Sequence, residues 1–288
     1  MGRFAPSPTG RLHLGSLLAA LGSFLDARHH GGRWLLRMED LDRPRVLAGA
    51  ADDILRTLEA LGLEWDGPVL YQSTRSEHYE AALERLRALG VTFECSCTRR
   101  LLAELGEDPY PGTCRAGARR PGPTATRLRV DEERVVGFTD RLQGPCELEL
   151  RDLGDVILRR RDGQFAYQLA VVVDDAAQQV TQVVRGADLL ASTAWQLELQ
   201  RLLGLPHPGY AHLPLVVEPG GAKLAKSRRS IAVQSEAAGQ WLLTALELLG
   251  QTPPAALAGE SPRRVLEWAL SHWIPERSSR IRMVSAPQ

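Results

Sequence analysis

The sequence predicts an α/β protein in which an open parallel sheet is interrupted by an inserted subdomain and followed by a helical C-terminal extension. Two continuous apolar runs, Arg33 to Met38 and His212 to Val217, have the length and composition of parallel strands buried on both faces. Apolar residues at helical spacing lie between and beyond these runs. The 288 residues suffice for one large core or two modest ones.

The elements follow one another in a definite order. The first helix is predicted over residues 17–30, the first strand over 33–38, helices over about 47–62 and 76–90, a helix over 192–204, a strand over 212–217, and mainly helical structure over 236–273. Prolines and glycines cluster at 109–123, which indicates an insertion between two halves of a sheet that resumes near Gly163. We therefore divide the chain into a first catalytic half (1–90), an inserted subdomain (91–160), a second catalytic half (161–235) and an extension (236–288).

Composition excludes several classes of protein. A formal net charge of zero argues against a protein that coats nucleic acid without sequence preference, because such binding depends on neutralising many phosphates. The sequence has no apolar run of about 18 residues and no signal-peptide pattern at its start, so we expect a cytoplasmic protein with no membrane partner. We expect it to be a monomer.

The first functional motif is His13-Leu14-Gly15-Ser16, at the start of the first helix. A helix N-terminus offers unpaired N–H groups and a positive dipole, which together favour phosphate. A short His-x-Gly motif is also compatible with a segment that merely enters the fold.

The second motif is Lys223-Leu224-Ala225-Lys226-Ser227, which follows Gly220-Gly221. Lys223 and Lys226 are the only lysines among 35 basic residues, so their proximity is unusual. A compact ammonium group on a flexible loop suits a phosphate that is held and then released. A solvated surface turn is the alternative.

The cysteines are too sparse for a secreted disulfide scaffold. Cys95, Cys97 and Cys114 have a spacing that suits a zinc site without its fourth ligand, while Cys146 stands apart. Spacing alone leaves zinc binding and inert buried cysteines equally open.

Together, the two motifs resemble the two signatures of class I aminoacyl-tRNA synthetases. The surrounding stretches are similar to the glutamyl branch of that family: Arg3 to Gly10, Arg37 to Asp42, Ala170 to Asp175, and Val184 to Asp188. The resemblance extends from residue 3 to about residue 235. Ser16 and Ala225 depart from the commonest form of the signatures, but both leave the phosphate-handling residues intact.

The resemblance implies a Rossmann-like sheet of the class I type and a set of site residues. It implies catalytic roles for His13, Lys223 and Lys226; glutamate binding by Arg3, Phe4, Ala5, Pro6, Ser7, Glu39, Tyr167 and Arg185; ATP binding by His13, Gly15, Ser16 and Lys226; and a structural Zn²⁺ on Cys95, Cys97, Tyr110 and Cys114. Cys146 is the alternative fourth zinc ligand. Mg²⁺ is expected to accompany ATP.

Residues 228–288 are too few for the anticodon-binding domain that full-length glutamyl-tRNA synthetases carry, so the chain resembles their short paralogues, the glutamyl-queuosine tRNA(Asp) synthetases. That resemblance implies activation of L-glutamate with ATP without tRNA, then transfer to the queuosine of tRNA(Asp). Arginines at 99, 100, 119, 120 and 159–161 are candidate phosphate contacts. The alternatives are one half of an ordinary glutamyl-tRNA synthetase working with a partner chain, a small-molecule nucleotidyltransferase, and a non-catalytic tRNA-binding protein.

Overall fold

The computed structural model describes residues 1–105, 109–217 and 232–285. Its strands are β1 (Gly2–Phe4), β2 (Trp34–Met38), β3 (Leu70–Tyr71), β4 (Thr92–Cys95), β5 (Ala125–Leu128), β6 (Val135–Asp140), β7 (Gly144–Glu149), β8 (Ile157–Arg159), β9 (Gln182–Gly186), β10 (Gly209–Leu213), β11 (Leu215–Val217) and β12 (Met283–Ser285). Its helices are α1 (Leu14–His29), α2 (Ala50–Ala60), α3 (Ser76–Ala88), α4 (Arg99–Leu105), α5 (Leu150–Leu153), α6 (Tyr167–Ala177), α7 (Ser192–Leu203), α8 (Ala238–Leu248) and α9 (Pro262–His272).

The predicted open parallel sheet is present. One group has the order β1-β2-β3 and is parallel, and the other has the order β7-β6-β10-β9, with β7 as its antiparallel edge. The two groups meet where the amides of Thr181 and Gln182, at the start of β9, donate to the carbonyl of Met1, just before β1. From β1 the chain winds outward in one direction and from β9 in the other, which creates the switch point at which open α/β sheets bind ligands.

Helix α1 begins three residues earlier than predicted. His13 is its N-cap, and its Nδ1 accepts a hydrogen bond from the amide of Ser16. The imidazole thus takes the role that Ser, Thr, Asp or Asn usually plays at this position. The consequence is that Gly15 and Ser16 lie in the first turn of the helix, where backbone N–H groups point out of its end.

The strand predicted over 212–217 is instead divided at Pro214 into β10 and β11. Proline has no N–H to donate and interrupts the ladder. Strand β10 pairs with β9 and β6, whereas β11 leaves that sheet and pairs with β12 near the end of the described chain.

The core has three parts. The largest surrounds α1, which is apolar on nearly all sides and is covered by α8 and α9 of the C-terminal extension. A second part lies between α3, α6 and α7, and a third contains the cysteine cluster. Among the helices of the described ranges, none combines the length and the apolar character that crossing a bilayer requires.

The segment over residues 91–160 contributes to two sheets. Strands β4, β5 and β8 form an antiparallel sheet of their own, whereas the β6–β7 hairpin extends the main sheet at β10. The division of the chain at residues 90, 160 and 235 stays a prediction.

Candidate active site

A buried charge network lies at the carboxyl edge of the parallel strands. Arg3 of β1 makes a two-pronged contact with Asp175 of α6, at 3.2 Å from Nε and 3.4 Å from Nη2. Arg37 of β2 approaches the same carboxylate, with Nη1 at 2.8 Å from Oδ1. Burial disfavours the ionised carboxylate, but Arg3 and Arg37 outweigh it and hold the pKa of Asp175 below its ordinary value.

Glu39 follows β2 and faces this network. Its Oε1 lies 3.5 Å from Nη2 of Arg37, and its side chain is 9% exposed. Burial raises the pKa of Glu39 to about 7, although Arg37 and Arg3 both act to lower it. A backbone hydrogen bond of 2.9 Å from the amide of Glu39 to the carbonyl of Pro6 ties the ends of the two strands together.

Arg185 of β9 is buried at the same edge but has neutral contacts. Its Nη1 donates to the hydroxyl of Tyr167 at 3.2 Å, its Nη2 to Thr193 Oγ1 at 2.9 Å, and its Nε to Nε2 of His212 at 3.1 Å. Within the part of the chain that the structure describes, no carboxylate makes an ion pair with Arg185. At this edge Arg3 and Arg37 are therefore paired with Asp175, whereas the guanidinium of Arg185 is held by neutral acceptors.

The structure thus brings together four of the eight residues expected to bind glutamate: Arg3, Glu39, Tyr167 and Arg185. The other four follow β1 or end it. Phe4 is buried with its ring stacked on Trp34, Ala5 is half-buried, Pro6 anchors Glu39 through its carbonyl, and Ser7 is exposed.

Sequence reasoning did not select Arg37, Asp175, Asp140 or His212 as site residues. Arg37 and Asp175 lie in stretches that carry the resemblance, so an alignment to the family could have pointed to them. His212 belongs to no local motif, so the sequence alone gives no reason to select it. Its partner Asp140 is distant in the sequence and comes beside it only through the parallel pairing of β6 and β10.

His13, Gly15 and Ser16 lie together at the N-terminus of α1. Because Nδ1 of His13 accepts the amide proton of Ser16, the neutral imidazole carries its proton on Nε2, which lies 3.1 Å from Ser16 Oγ. A side chain at Gly15 would come within 3.4 Å of the His13 ring, so glycine leaves that face of the imidazole uncovered.

Lys223 and Lys226 lie outside the described residues. The described chain resumes beside the first motif, where Ala232 forms a β-bridge with His13 and the amide of Val233 donates to Leu12 at 2.9 Å.

The cysteine cluster has the dimensions of a tetrahedral metal site. The sulfurs of Cys95, Cys97 and Cys114 lie within 4.8 Å of one another, with Cys97 and Cys114 at 3.7 Å. Four ligands at the usual Zn–S distance of about 2.3 Å would be separated by about 3.8 Å. The hydroxyl of Tyr110 lies 3.4 Å from Cys95 Sγ and 3.9 Å from Cys97 Sγ.

Cys146 does not join this cluster. It lies in β7 of the main sheet, where its thiol donates to the carbonyl of Gly144 at 3.5 Å. In the cluster, burial acts to raise the pKa of Cys114, but amide donors including those of Ser96 and Arg119 lower it to about 6, which favours the thiolate that metals bind. Burial and a hydrogen bond to Cys114 instead raise the pKa of Cys97 to about 11. The donor set therefore fits a metal ion that prefers sulfur.

Arg159 and Arg160, both candidate RNA-contacting arginines, are ion-paired within the protein. Arg159 lies 3.1 Å from Glu80, and Arg160 lies 3.0 Å from Asp42. Arg119 and Arg120 are exposed on the cysteine-bearing segment. Carboxylates of the protein therefore neutralise part of the basic surface at Arg159 and Arg160, whereas Arg119 and Arg120 are exposed and better placed for phosphate contacts.

The chain is similar to known proteins over most of its length. A family model described as "tRNA synthetases class I (E and Q), catalytic domain" matches residues 1–256. A protein of Aromatoleum aromaticum named glutamyl-Q tRNA(Asp) synthetase is 54% identical over 95% of this chain and 88% of its own length. A protein of Ectopseudomonas mendocina with the same name is 53% identical over 100% of this chain and 98% of its own length.

Solved structures support the fold. A glutamate-tRNA synthetase from Elizabethkingia anophelis superimposes with a TM-score of 0.79 at 23% identity, covering 99% of this chain and 67% of that one. A glutamate tRNA ligase from Elizabethkingia meningosepticum, in complex with its amino acid, gives a TM-score of 0.78 at 23% identity, covering 98% of this chain and 66% of that one.

Proposed function

Because the chain belongs to the glutamyl-Q tRNA(Asp) synthetase family of class I aminoacyl-tRNA synthetases, we propose that it activates L-glutamate with ATP and transfers the glutamyl group to the queuosine base of tRNA(Asp). The observation that carries this proposal is the buried guanidinium of Arg185, held by neutral acceptors, in a chain more than half identical to proteins of that name. Both tRNA and ATP are substrates found in the bacterial cytoplasm, where we propose that it acts.

The glutamate-binding roles follow from charge. Glutamate brings two carboxylates and one ammonium group, so it needs basic partners for the former and an acidic partner for the latter. Arg185, whose contacts are neutral, is suited to a substrate carboxylate, and the hydroxyl of Tyr167 lies beside it. Glu39 is suited to the α-ammonium group, and Arg3 and the segment from Phe4 to Ser7 would contact the same amino acid.

The ATP-binding roles follow from the end of α1. The amides of its first turn and Nε2–H of His13 are donors that suit the phosphates, and Gly15 leaves room for the nucleotide. Lys223 and Lys226 would neutralise the phosphates, and the described chain resumes after them at Ala232, which bridges to His13. Mg²⁺ would accompany the ATP as it binds.

In the proposed reaction the protein positions the substrates and stabilises charge, and it forms no covalent bond to them. An oxygen of the glutamate α-carboxylate attacks the α-phosphorus of ATP, and the bond from that phosphorus to pyrophosphate breaks. His13 and the helix N-terminus would stabilise the developing charge, and Lys226 would follow the leaving pyrophosphate. A hydroxyl of the queuosine cis-diol next attacks the activated carbonyl carbon, and AMP leaves.

The acceptor can be tested with two altered tRNAs. We expect glutamate transfer to tRNA(Asp) that carries queuosine, and none to the same tRNA with guanosine at the wobble position, because only the former presents the cis-diol on the base. Removal of the 3′-terminal adenosine should leave the transfer intact. If that truncation abolishes charging, the acceptor is the terminal ribose and the chain acts as an ordinary glutamyl-tRNA synthetase.

Glutamate binding should depend on pH through Glu39. Its pKa is raised from 4.5 to about 7, so the carboxylate is mostly protonated below that value and ionised above it. The KM for glutamate, measured by ATP–pyrophosphate exchange without tRNA, should therefore fall several-fold as the pH rises from about 6 to about 8. Glu39→Gln should raise this KM and remove its pH dependence, while the KM for ATP serves as the control. A wild-type KM for glutamate that is constant over this range contradicts the role of Glu39.

We propose that the cluster of Cys95, Cys97 and Cys114 holds one structural Zn²⁺, with Tyr110 as the fourth ligand. Metal analysis of the wild-type protein should find about one zinc per chain, and Cys97→Ser should lose it. Tyr110→Phe should weaken zinc retention against a chelator, while Cys146→Ser, the matched control, should retain the metal fully. Full occupancy in Cys97→Ser would reject the site, and equal retention by Tyr110→Phe and the wild type would reject the tyrosine ligand.

A further inference from the structure

His212 and Asp140 form a fully buried pair behind Arg185. Both side chains have no exposed surface, and Nδ1 of His212 lies 2.6 Å from Oδ2 of Asp140. The pair exists because β6, from the segment that interrupts the sheet, runs parallel to β10 with Asp140 opposite Tyr210. None of the roles proposed above uses either residue.

The pair determines which nitrogen of His212 carries the proton. Oδ1 of Asp140 accepts the amides of Leu142 at 3.0 Å and Gln143 at 2.8 Å, which supports the ionised form. Burial lowers the pKa of His212, so its ring is neutral around pH 7. A neutral ring beside a carboxylate places its proton on Nδ1 and leaves a lone pair on Nε2.

That lone pair faces Arg185. Nε of Arg185 donates to Nε2 of His212 at 3.1 Å, and Nη2 donates to Thr193 Oγ1 at 2.9 Å. Arg185 also lies over the ring of Tyr210, at 5.5 Å from Cζ to the ring centroid. Two edges of the guanidinium are therefore held by neutral acceptors, and Nη1 is directed to Tyr167 at 3.2 Å.

We propose that Asp140 and His212 are positioning residues that hold Arg185, through a fixed histidine tautomer, in the orientation that receives a carboxylate of the amino acid substrate. The inference rests on the proposed function of Arg185 in glutamate binding. Neutral acceptors hold the guanidinium in place without cancelling its charge, whereas a direct ion pair with an internal carboxylate would compete with the substrate.

The opposite tautomer would oppose this arrangement. A proton on Nε2 would face Nε–H of Arg185, donor against donor. Asp140→Asn is a probe of that change, because its NH₂ group must face either Nδ1 of His212 or the amide donors of Leu142 and Gln143. Either choice disturbs the pair with almost no change in volume.

The test is ATP–pyrophosphate exchange by Asp140→Asn in the full chain. We expect the KM for glutamate to rise by about tenfold to a hundredfold, the range for a lost hydrogen bond to a charged group, with the KM for ATP unchanged and kcat less affected. Thr193→Val, which removes another acceptor of Arg185, should raise the same KM more modestly. Asp155→Asn is the matched control: Asp155 is equally buried and ion-paired, to Arg115, and should leave the KM for glutamate unchanged.

Nitrogen NMR of His212 in the wild-type protein tests the tautomer without any variant. We expect a protonated Nδ1 and an unprotonated Nε2 near neutral pH. A proton on Nε2, or an unchanged KM for glutamate in a folded Asp140→Asn, overturns the proposal. If the wild type shows no glutamate-dependent exchange, the proposed function fails, and the NMR result still decides whether the pair fixes the tautomer.

Discussion

The shared contact of Arg3 and Arg37 with Asp175 is the interaction on which the rest of the site depends. A buried guanidinium is costly unless it is paired, and this carboxylate pairs two of them from neighbouring parallel strands. The pairing requires that β1 lie beside β2 and that α6 bring Asp175 to both strands. This pairing leaves Arg185, whose contacts are neutral, available to an incoming carboxylate. Burial raises the pKa of Glu39 against the opposing effect of Arg37 and Arg3. We therefore attribute the proposed recognition of an amino acid with two carboxylates to these buried guanidinium groups, of which Arg185 has no carboxylate partner among the described residues.

The segment over residues 91–160, which interrupts the sheet, has two roles: one part supplies a residue that supports the site, and another part carries the cysteine cluster. Its β4–β5–β8 sheet carries the cysteine cluster, whereas its β6–β7 hairpin joins the main sheet and supplies Asp140. A metal bound by Cys95, Cys97 and Cys114 would therefore stabilise a segment of which another part supports Arg185. A long insertion is easily tolerated at a loop, but a hairpin that pairs with β10 must keep its register for Asp140 to reach His212.

Local sequence signals predicted the parts of the molecule that local physics determines. The apolar run to Met38 predicted β2, which Glu39 directly follows, and the helix predicted after His13 is α1, although the N-cap role of an imidazole was not foreseen. Pro214 could have predicted the break between β10 and β11. The pairing of Asp140 with His212 could not be predicted from spacing, because a parallel pairing across a long stretch of chain creates it. The valine run at 171–173 is typical of strands, yet it lies in α6, where burial on several sides outweighs propensity.

The central claim is that the buried guanidinium groups of the site bind the side-chain carboxylate of the amino acid substrate as well as its α-carboxylate. The most direct test is the thermal unfolding midpoint of the wild-type protein with saturating L-glutamate, L-glutamine or no amino acid, in the absence of ATP and tRNA. Because a ligand that binds only the folded state raises its stability, glutamate should raise the midpoint by several degrees and glutamine should leave it nearly unchanged. An equal increase with glutamine would contradict the account, since the side-chain carboxylate would then play no part.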